Sequence, residues 1–452
     1  MKPTLFLSSS ALALSLLMTS STQAQTARAA PAQTQADKAD AAAKASGFKI
    51  TPVDDAWRAS LPRDAKLATQ AYLARLPAEV VKKSDAYYEG GYWLQLWNLL
   101  LGGAVAIVML AGKRAARVRD WATRVGRGPV RRDLLFGAVY SGASWLLSLP
   151  LTAYEGFFRE HAYGMATQGF TGWFGEQLIG LAVSTVVTAI AVAGLYAIIR
   201  RTGERWWIWG AAGGIALLSV VIAIGPVLIQ PLFNTYKPIE DGTLKTAVLN
   251  MAHANGVPVD DVYEFDASRQ TTRISANVSG LFGTAAVRLN DNLMRRTSEP
   301  EIRAVMAHEI GHYVMNHIPK TLMTLSLVLL VAFVVAQWAM RRLLVRFASA
   351  TGVSRIDDVA GLPLLASVFA VFFALATPIQ NTLSRTDETE ADRFALNLSR
   401  EPHGFAEAQL RLVEYRKADP GPVEEFFFFH HPSTRNRIHD AMRWREAMGT
   451  LP

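Results

Sequence analysis

His308-Glu309-Ile310-Gly311-His312, followed soon after by the uncharged apolar run 322–340, decides how this chain folds. Two imidazoles four residues apart fall on one face of a helix, one turn from each other. The run behind them is close to the ~20 residues that carry a helix across a bilayer. A histidine-bearing helix therefore hands over directly to a membrane-length segment, and both must meet at or near a membrane surface.

Five more apolar runs lie outward from this one: residues 92–112, 134–154, 177–199, 206–229 and 362–383. Any single run could be a buried core helix. Six in one chain of 452 residues, half of them apolar, predict a mainly α, polytopic membrane protein of about six spans. The formal net charge of +8 is concentrated between spans. Lys113, Arg114, Arg117, Arg119, Arg124, Arg127, Arg131 and Arg132 fill one connector. Arg200, Arg201 and Arg205 fill a second, and Arg341, Arg342, Arg346 and Arg355 a third. With six spans all three connectors share a side, and the positive-inside rule makes that side cytoplasmic. The histidine helix then faces the periplasm of a bacterial inner membrane. No basic helix, finger or aromatic-interleaved sheet motif accompanies the charge, so nucleic acid is excluded as a partner.

The ends agree with this orientation. Residues 1–24 combine Lys2, an apolar stretch and small residues near Ala24, the pattern of a signal peptide, cleaved or, as the alternative, retained as an anchor helix. Residues 25–56 are rich in Ala, Gln, Thr and Lys and read as a tether, and 57–90 as an amphipathic region. Four spans occupy 91–230. A mostly water-facing segment, 231–320, follows, then a hairpin of spans at 321–383 and a second water-facing segment at 384–452. In 231–320 the patterns predict a helix at 244–255 and short strands at 261–265 and 285–290. The stretch Ser275-Ala276-Asn277-Val278-Ser279-Gly280 reads as an extended edge, and 299–317 as a helix.

The chain has no cysteine, so any metal must be held by histidines and carboxylates. His308 and His312 can converge on one ion, and zinc accepts imidazole nitrogen in a roughly tetrahedral set. Glu309 stands beside them, placed to take a proton from an activated water. A hydrolytic zinc site needs a third protein ligand and an open fourth position. A glycine three residues after His312 and a histidine six after it would mark one class of such sites, but Met315 and Ile318 stand there. His317 falls off the metal-facing stripe and reads as supporting or structural. Beyond the last two spans come Glu388 and Asp392, again four apart on one helical face. One carboxylate can ligate the ion while the other orients an imidazole through its free N–H.

With these motifs, and with His431-Pro432-Ser433-Thr434-Arg435-Asn436-Arg437 near the end, the chain resembles the type I CAAX prenyl endopeptidases and related bacterial membrane metalloproteases of the HtpX type. Leu149-Pro150-Leu151 with Tyr154, and Gln230-Pro231-Leu232-Phe233-Asn234, extend the likeness, which runs from about residue 85 to the end. The resemblance implies a zincin-type α+β catalytic domain with a small sheet, its catalytic helices continuous with or adjacent to spans. It also implies one Zn2+ per chain on His308, His312 and Glu388, with Asp392 behind them. His431 would face the developing oxyanion, Arg437 would support the site, and the edge from Ser275 to Gly280 would pair with an extended polypeptide substrate. Ser275-Ala276-Asn277 departs from that family's Asn-Ala-Tyr. A periplasmic site excludes prenylated cytosolic proteins as natural substrates and leaves damaged or hydrophobic envelope polypeptides. A rival reading is a transporter or scaffold with a structural or vestigial zinc site.

Overall fold

The computed structural model describes residues 50–51, 53–279 and 285–449. The expected signal segment, most of the tether and Gly280 of the expected edge lie outside them. Helices α1 (Asp55–Ser60) and α2 (Ala65–Leu73) open the chain, each capped by an aspartate side chain. Helix α3 (Ala78–Leu110) bends after Leu110 into the basic helix α4 (Arg114–Gly126). Helix α5 (Pro129–Ala153) continues through a π turn at Tyr154–Phe158 to Ala162. Helix α6 (Phe170–Thr202) and α7 (Trp206–Ile224) follow, with Gly203 between them at φ 52°. That left-handed value suits glycine, and it lets α7 fold back along α6.

The stretch between the bundle halves holds β1 (Tyr236–Pro238), α8 (Thr243–Ala254), β2 (Val262–Phe265), β3 (Ala276–Ser279), β4 (Ala286–Asn290), α9 (Asp291–Arg296) and α10 (Glu299–Val314). Helices α11 (His317–Thr351), α12 (Leu362–Ser399), α13 (Pro402–Leu412), α14 (Pro422–Phe428) and α15 (Thr434–Met448) complete it. Strand β1 was not expected; the other strands and α8 fall within two residues of the expected bounds.

Five helical stretches are long and apolar enough to cross a membrane, against the six expected spans. The difference lies in Phe170–Leu232, one 63-residue stretch that holds two of the apolar runs and folds at Gly203. Trp93, Ile107, Val186, Ile190, Leu327, Val345 and Leu375 stand exposed on these helices, as side chains facing lipid should. Phe136, Tyr196, Trp206 and Met340 fill the interior between them. The connector 113–133, expected as a loop, is helical. Its Arg119 is ion-paired to Asp358, ahead of α12.

The sheet runs β1-β2-β4-β3. β2 and β4 are parallel, and the outer pairings are antiparallel, with Ala276 opposite Leu289 and Val278 opposite Val287. Val262, Val287 and Leu289 bury one face against Ile302, Met306 and Ile310 of α10. The sheet thus seats α10, and β3 forms its edge beside that helix. A second core joins Leu61, Ala68 and Tyr72 of the N-terminal region to Ala304, Ala307, Leu396 and Ile438. The N-terminal helices are therefore part of the same packed body as α10 and the end of α12.

Candidate active site

Helix α10 starts on a capping box, Ser298 and Glu301, with Pro300 in the first turn. It stops where Asn316 turns left-handed at φ 56°, and α11 begins at once with His317. Helix α12 has 38 residues, about 57 Å at 1.5 Å per residue, against about 30 Å of bilayer hydrocarbon. Its last turns therefore project beyond the apolar layer, and they carry Glu388 and Asp392. These two acids lie well inside the helix, so the acidic cluster is not a helix start. Gly311 brings the helices together: a Cβ there would lie 3.1 Å from Phe394 Cδ1 and 3.4 Å from Ala391 Cα. A Cβ at this position would require the Phe394 ring to give by a few tenths of an ångström.

The approach gathers three donors. His312 Nε2 is 3.1 Å from His308 Nε2, Glu388 Oε2 is 3.3 Å from His308 Nε2, and Glu388 Oε1 is 3.5 Å from His312 Nε2. Ligands placed tetrahedrally at about 2.0–2.1 Å from one ion are about 3.4 Å from each other. Glu388 Oε2 is buried with no hydrogen bond among the described residues. The charges agree as well. Burial works against a proton on His308, yet Asp392 and Glu388 outweigh it and raise its pKa to about 10. The pocket is built around positive charge, and its donor set fits a divalent cation.

Each imidazole is held from behind. His308 Nδ1 lies 2.8 Å from Asp392 Oδ1, and Arg437 Nε donates to Asp392 Oδ2 at 2.8 Å while its Nη2 reaches Oδ1. His312 Nδ1 lies 2.8 Å from His317 Nδ1. His317 Nε2 faces Glu390 at 3.2 Å, and Lys320 donates to Glu390 at 2.9 Å. One proton arrangement satisfies both chains: Nδ1–H on His308 and on His312, leaving both Nε2 lone pairs turned to the centre.

Glu309 follows His308 on α10 and is half-buried; burial raises its carboxyl pKa above the ordinary glutamate value. His431 Nε2 is 3.3 Å from Glu388 Oε1, and burial holds this histidine's pKa well below 6.5, so the ring is neutral. Ala276, Asn277, Val278 and Ser279 form the sheet edge beside α10, with Ser275 just before the strand. His308, His312, Glu388, Asp392, His431 and Arg437 thus contact one another around one centre, Glu309 follows His308 on the same helix, and Ala276–Ser279 lie along that helix.

Residues 238–445 match the model of peptidase family M48, and residues 62–235 match that of the CAAX prenyl protease N-terminal region, described as five membrane helices. Together the two matches run from residue 62 to residue 445 and make the chain similar to peptidase family M48 in both parts. An uncharacterized metalloprotease of Bacillus subtilis is 28% identical over 75% of this chain and 80% of its own length. CAAX prenyl protease 1 of Saccharomyces cerevisiae is 27% identical over 68% of this chain and 72% of its own. The crystal structure of S. mikatae Ste24p superposes with a TM-score of 0.71 over 96% of this chain and 97% of that one, at 19% identity, which shows a common fold. The chain is accordingly a multi-pass membrane protein similar to a metallopeptidase family. The sequence did not reveal that His317 touches His312. Its position five residues on, just past a turn, was the available signal, but helical periodicity alone sets it off the stripe.

Proposed function

We propose that the protein is a zinc-dependent endopeptidase of the bacterial inner membrane, cleaving extended segments of membrane or unfolded envelope polypeptides on the periplasmic side. The convergence of His308 Nε2, His312 Nε2 and the Glu388 carboxylate at tetrahedral spacings, with Glu309 adjacent, carries this reading. Zinc, when bound there, supplies a Lewis acid that polarises the scissile carbonyl and lowers the pKa of a water to about 7.

The chain's own residues do the rest. Glu309, with its raised proton affinity, takes the proton of the attacking water and can return it to the leaving nitrogen. His431, neutral, offers an N–H toward the oxyanion that develops on the carbonyl oxygen. The edge from Ser275 to Gly280 adds the peptide as a further strand through backbone groups, which suits a protease with many sequences to cut. Asp392 and Arg437 fix His308, and His317 fixes His312. Glu309→Gln should keep zinc by metal analysis and lose about 100- to 10,000-fold in peptide cleavage; cleavage at the parental rate would refute the mechanism.

The periplasmic assignment is supported by the N-terminal core. Residues that follow a signal-like segment pack into the same body as α10 and α15, and the basic connectors lie across the bundle. Because the chain has no cysteine, single labels report cleanly. An impermeant maleimide on intact cells should label Ala447→Cys and spare Arg124→Cys; the opposite pattern would move the site to the cytoplasm.

A further inference from the structure

A cavity runs from His431 to the π-helical end of α5, bounded by Tyr88, Arg159, Arg273 and Arg416, with Glu155, Glu160 and Lys417 also on its wall. Most of these charges are matched. Glu160 accepts from Tyr87 at 2.7 Å and pairs with Arg273 at 2.8 Å. Lys417 pairs with Glu89 and Glu424 at 2.6 and 2.9 Å. Glu155 accepts from Asn98 at 3.1 Å. Arg159 gives a hydrogen bond to the Tyr87 carbonyl and lies 4.1 Å over the Tyr87 ring, but no described carboxylate pairs with it.

Arg416 is different. Its guanidinium makes no hydrogen bond and no ion pair with any described residue. Burial pulls its pKa below the ordinary arginine value, and Arg437 repels it; the carboxylate whose field it feels is Glu388, which belongs to the cation-binding group. Arg416 is half-buried on the cavity wall, so a ligand that supplies the missing charge there would be favoured. Its planar fork matches a carboxylate through two parallel hydrogen bonds.

We propose that Arg416, with Arg159 on the same cavity wall, binds a carboxylate of the polypeptide substrate beside the scissile bond. The protein then selects segments that present an acidic group at one fixed position. This rests on the protease reading of the site and names the substrate feature it prefers. Two sources supply that group: an Asp or Glu side chain, or the carboxylate at the end of a chain.

The test uses the full-length, zinc-loaded Glu309→Gln protein in nanodiscs, which holds peptide without cutting it. Fluorescent peptides are compared in pairs, Glu against Gln at successive positions and free acid against amide at the C-terminus. One pair should show a preference for the acid of about 10- to 100-fold in Kd. An internal pair identifies the side chain as the source, and the terminal pair identifies the chain end. Adding Arg416→Gln should bring that ratio to about one at unchanged zinc content. Arg416→Lys keeps the charge without the fork and should lose several-fold of the preference, which also serves if the glutamine variant fails to fold. No acid preference at any position, or a preference intact in the Arg416 variants, would overturn the proposal. Cleavage by the Glu309 protein is measured in parallel: absent cleavage with an Arg416-dependent acid preference would break the protease reading and leave the carboxylate site standing.

Discussion

His308 and His312 sit one turn apart on α10, yet they are braced in opposite ways. Behind His308 stands a sealed pair: the Asp392 and Arg437 side chains are 3% and 4% exposed and joined by two hydrogen bonds. Behind His312 runs a chain of His317, Glu390 and Lys320 that ends at the surface, where the last two side chains are 40% and 47% exposed. A buried pair is nearly rigid and expensive to break from one side, because the surviving partner is left charged and dry. An exposed pair is screened and worth little. One imidazole is therefore fixed by the core, while the other hangs on a support whose outer end can be altered at small cost.

The shared centre sets the upper bound for any break. Glu388→Ala removes the third donor, so zinc should fall from one per chain toward zero by metal analysis, and activity should go with it. Next comes Arg437→Ala, which removes the buried cation paired with Asp392 and leaves that carboxylate its contact with His308 Nδ1. We expect a loss of about 3–5 kcal/mol, visible as a lower unfolding midpoint even in zinc-free protein. His317→Phe keeps the ring volume and removes the acceptor for His312 Nδ1–H. It should weaken zinc by about 10- to 100-fold, measured as faster loss to a chelator, with the unfolding midpoint of the zinc-free protein little changed. Lys320→Ala should change either readout by less than about twofold. If His317→Phe destabilises the zinc-free fold as much as Arg437→Ala does, the contrast between the two braces is wrong.

A pH profile sharpens the same comparison from the centre. In the proposed mechanism Glu309 must be ionised to accept a proton, and burial raises its pKa above 4.5. Activity should therefore fail on the acid side at a higher pH than an ordinary glutamate would give. Arg437→Lys, which keeps the charge that lowers the Glu309 pKa, should shift that limb little. A limb at or below pH 4.5 would contradict the burial of Glu309.

Much of this was legible in the chain. The histidine pair, its glutamate, the apolar runs and the strands on either side of the edge all follow from local periodicity, which survives in one dimension. Glu388 and Asp392 were visible as a pair on one face, but their division of labour was assigned by resemblance. In the structure it rests on one helical turn, which sets Glu388 level with both Nε2 atoms and Asp392 level with His308 Nδ1. The two apolar runs on either side of the Arg200–Arg205 connector form one continuous helical stretch that folds back at Gly203, a turn short enough to interrupt the helix with three residues. The N-terminal helices gave no sign that Tyr72 packs near α13, with its hydroxyl 2.7 Å from His403, since that partner is hundreds of residues away.

By itself the sequence determined the chemistry on offer: which side chains can hold a cation without cysteine, and which segments are too apolar to stay in water. Tertiary structure alone decided who stands behind whom, pairing Arg437 with Asp392, His317 with His312, and leaving Arg416 without a partner. The reason is physical. Ligand type and hydropathy are properties of residues and short windows, whereas pairing depends on where α10, α12 and the segments after them cross, and that is fixed by packing at positions such as Gly311 where two backbones come within van der Waals reach.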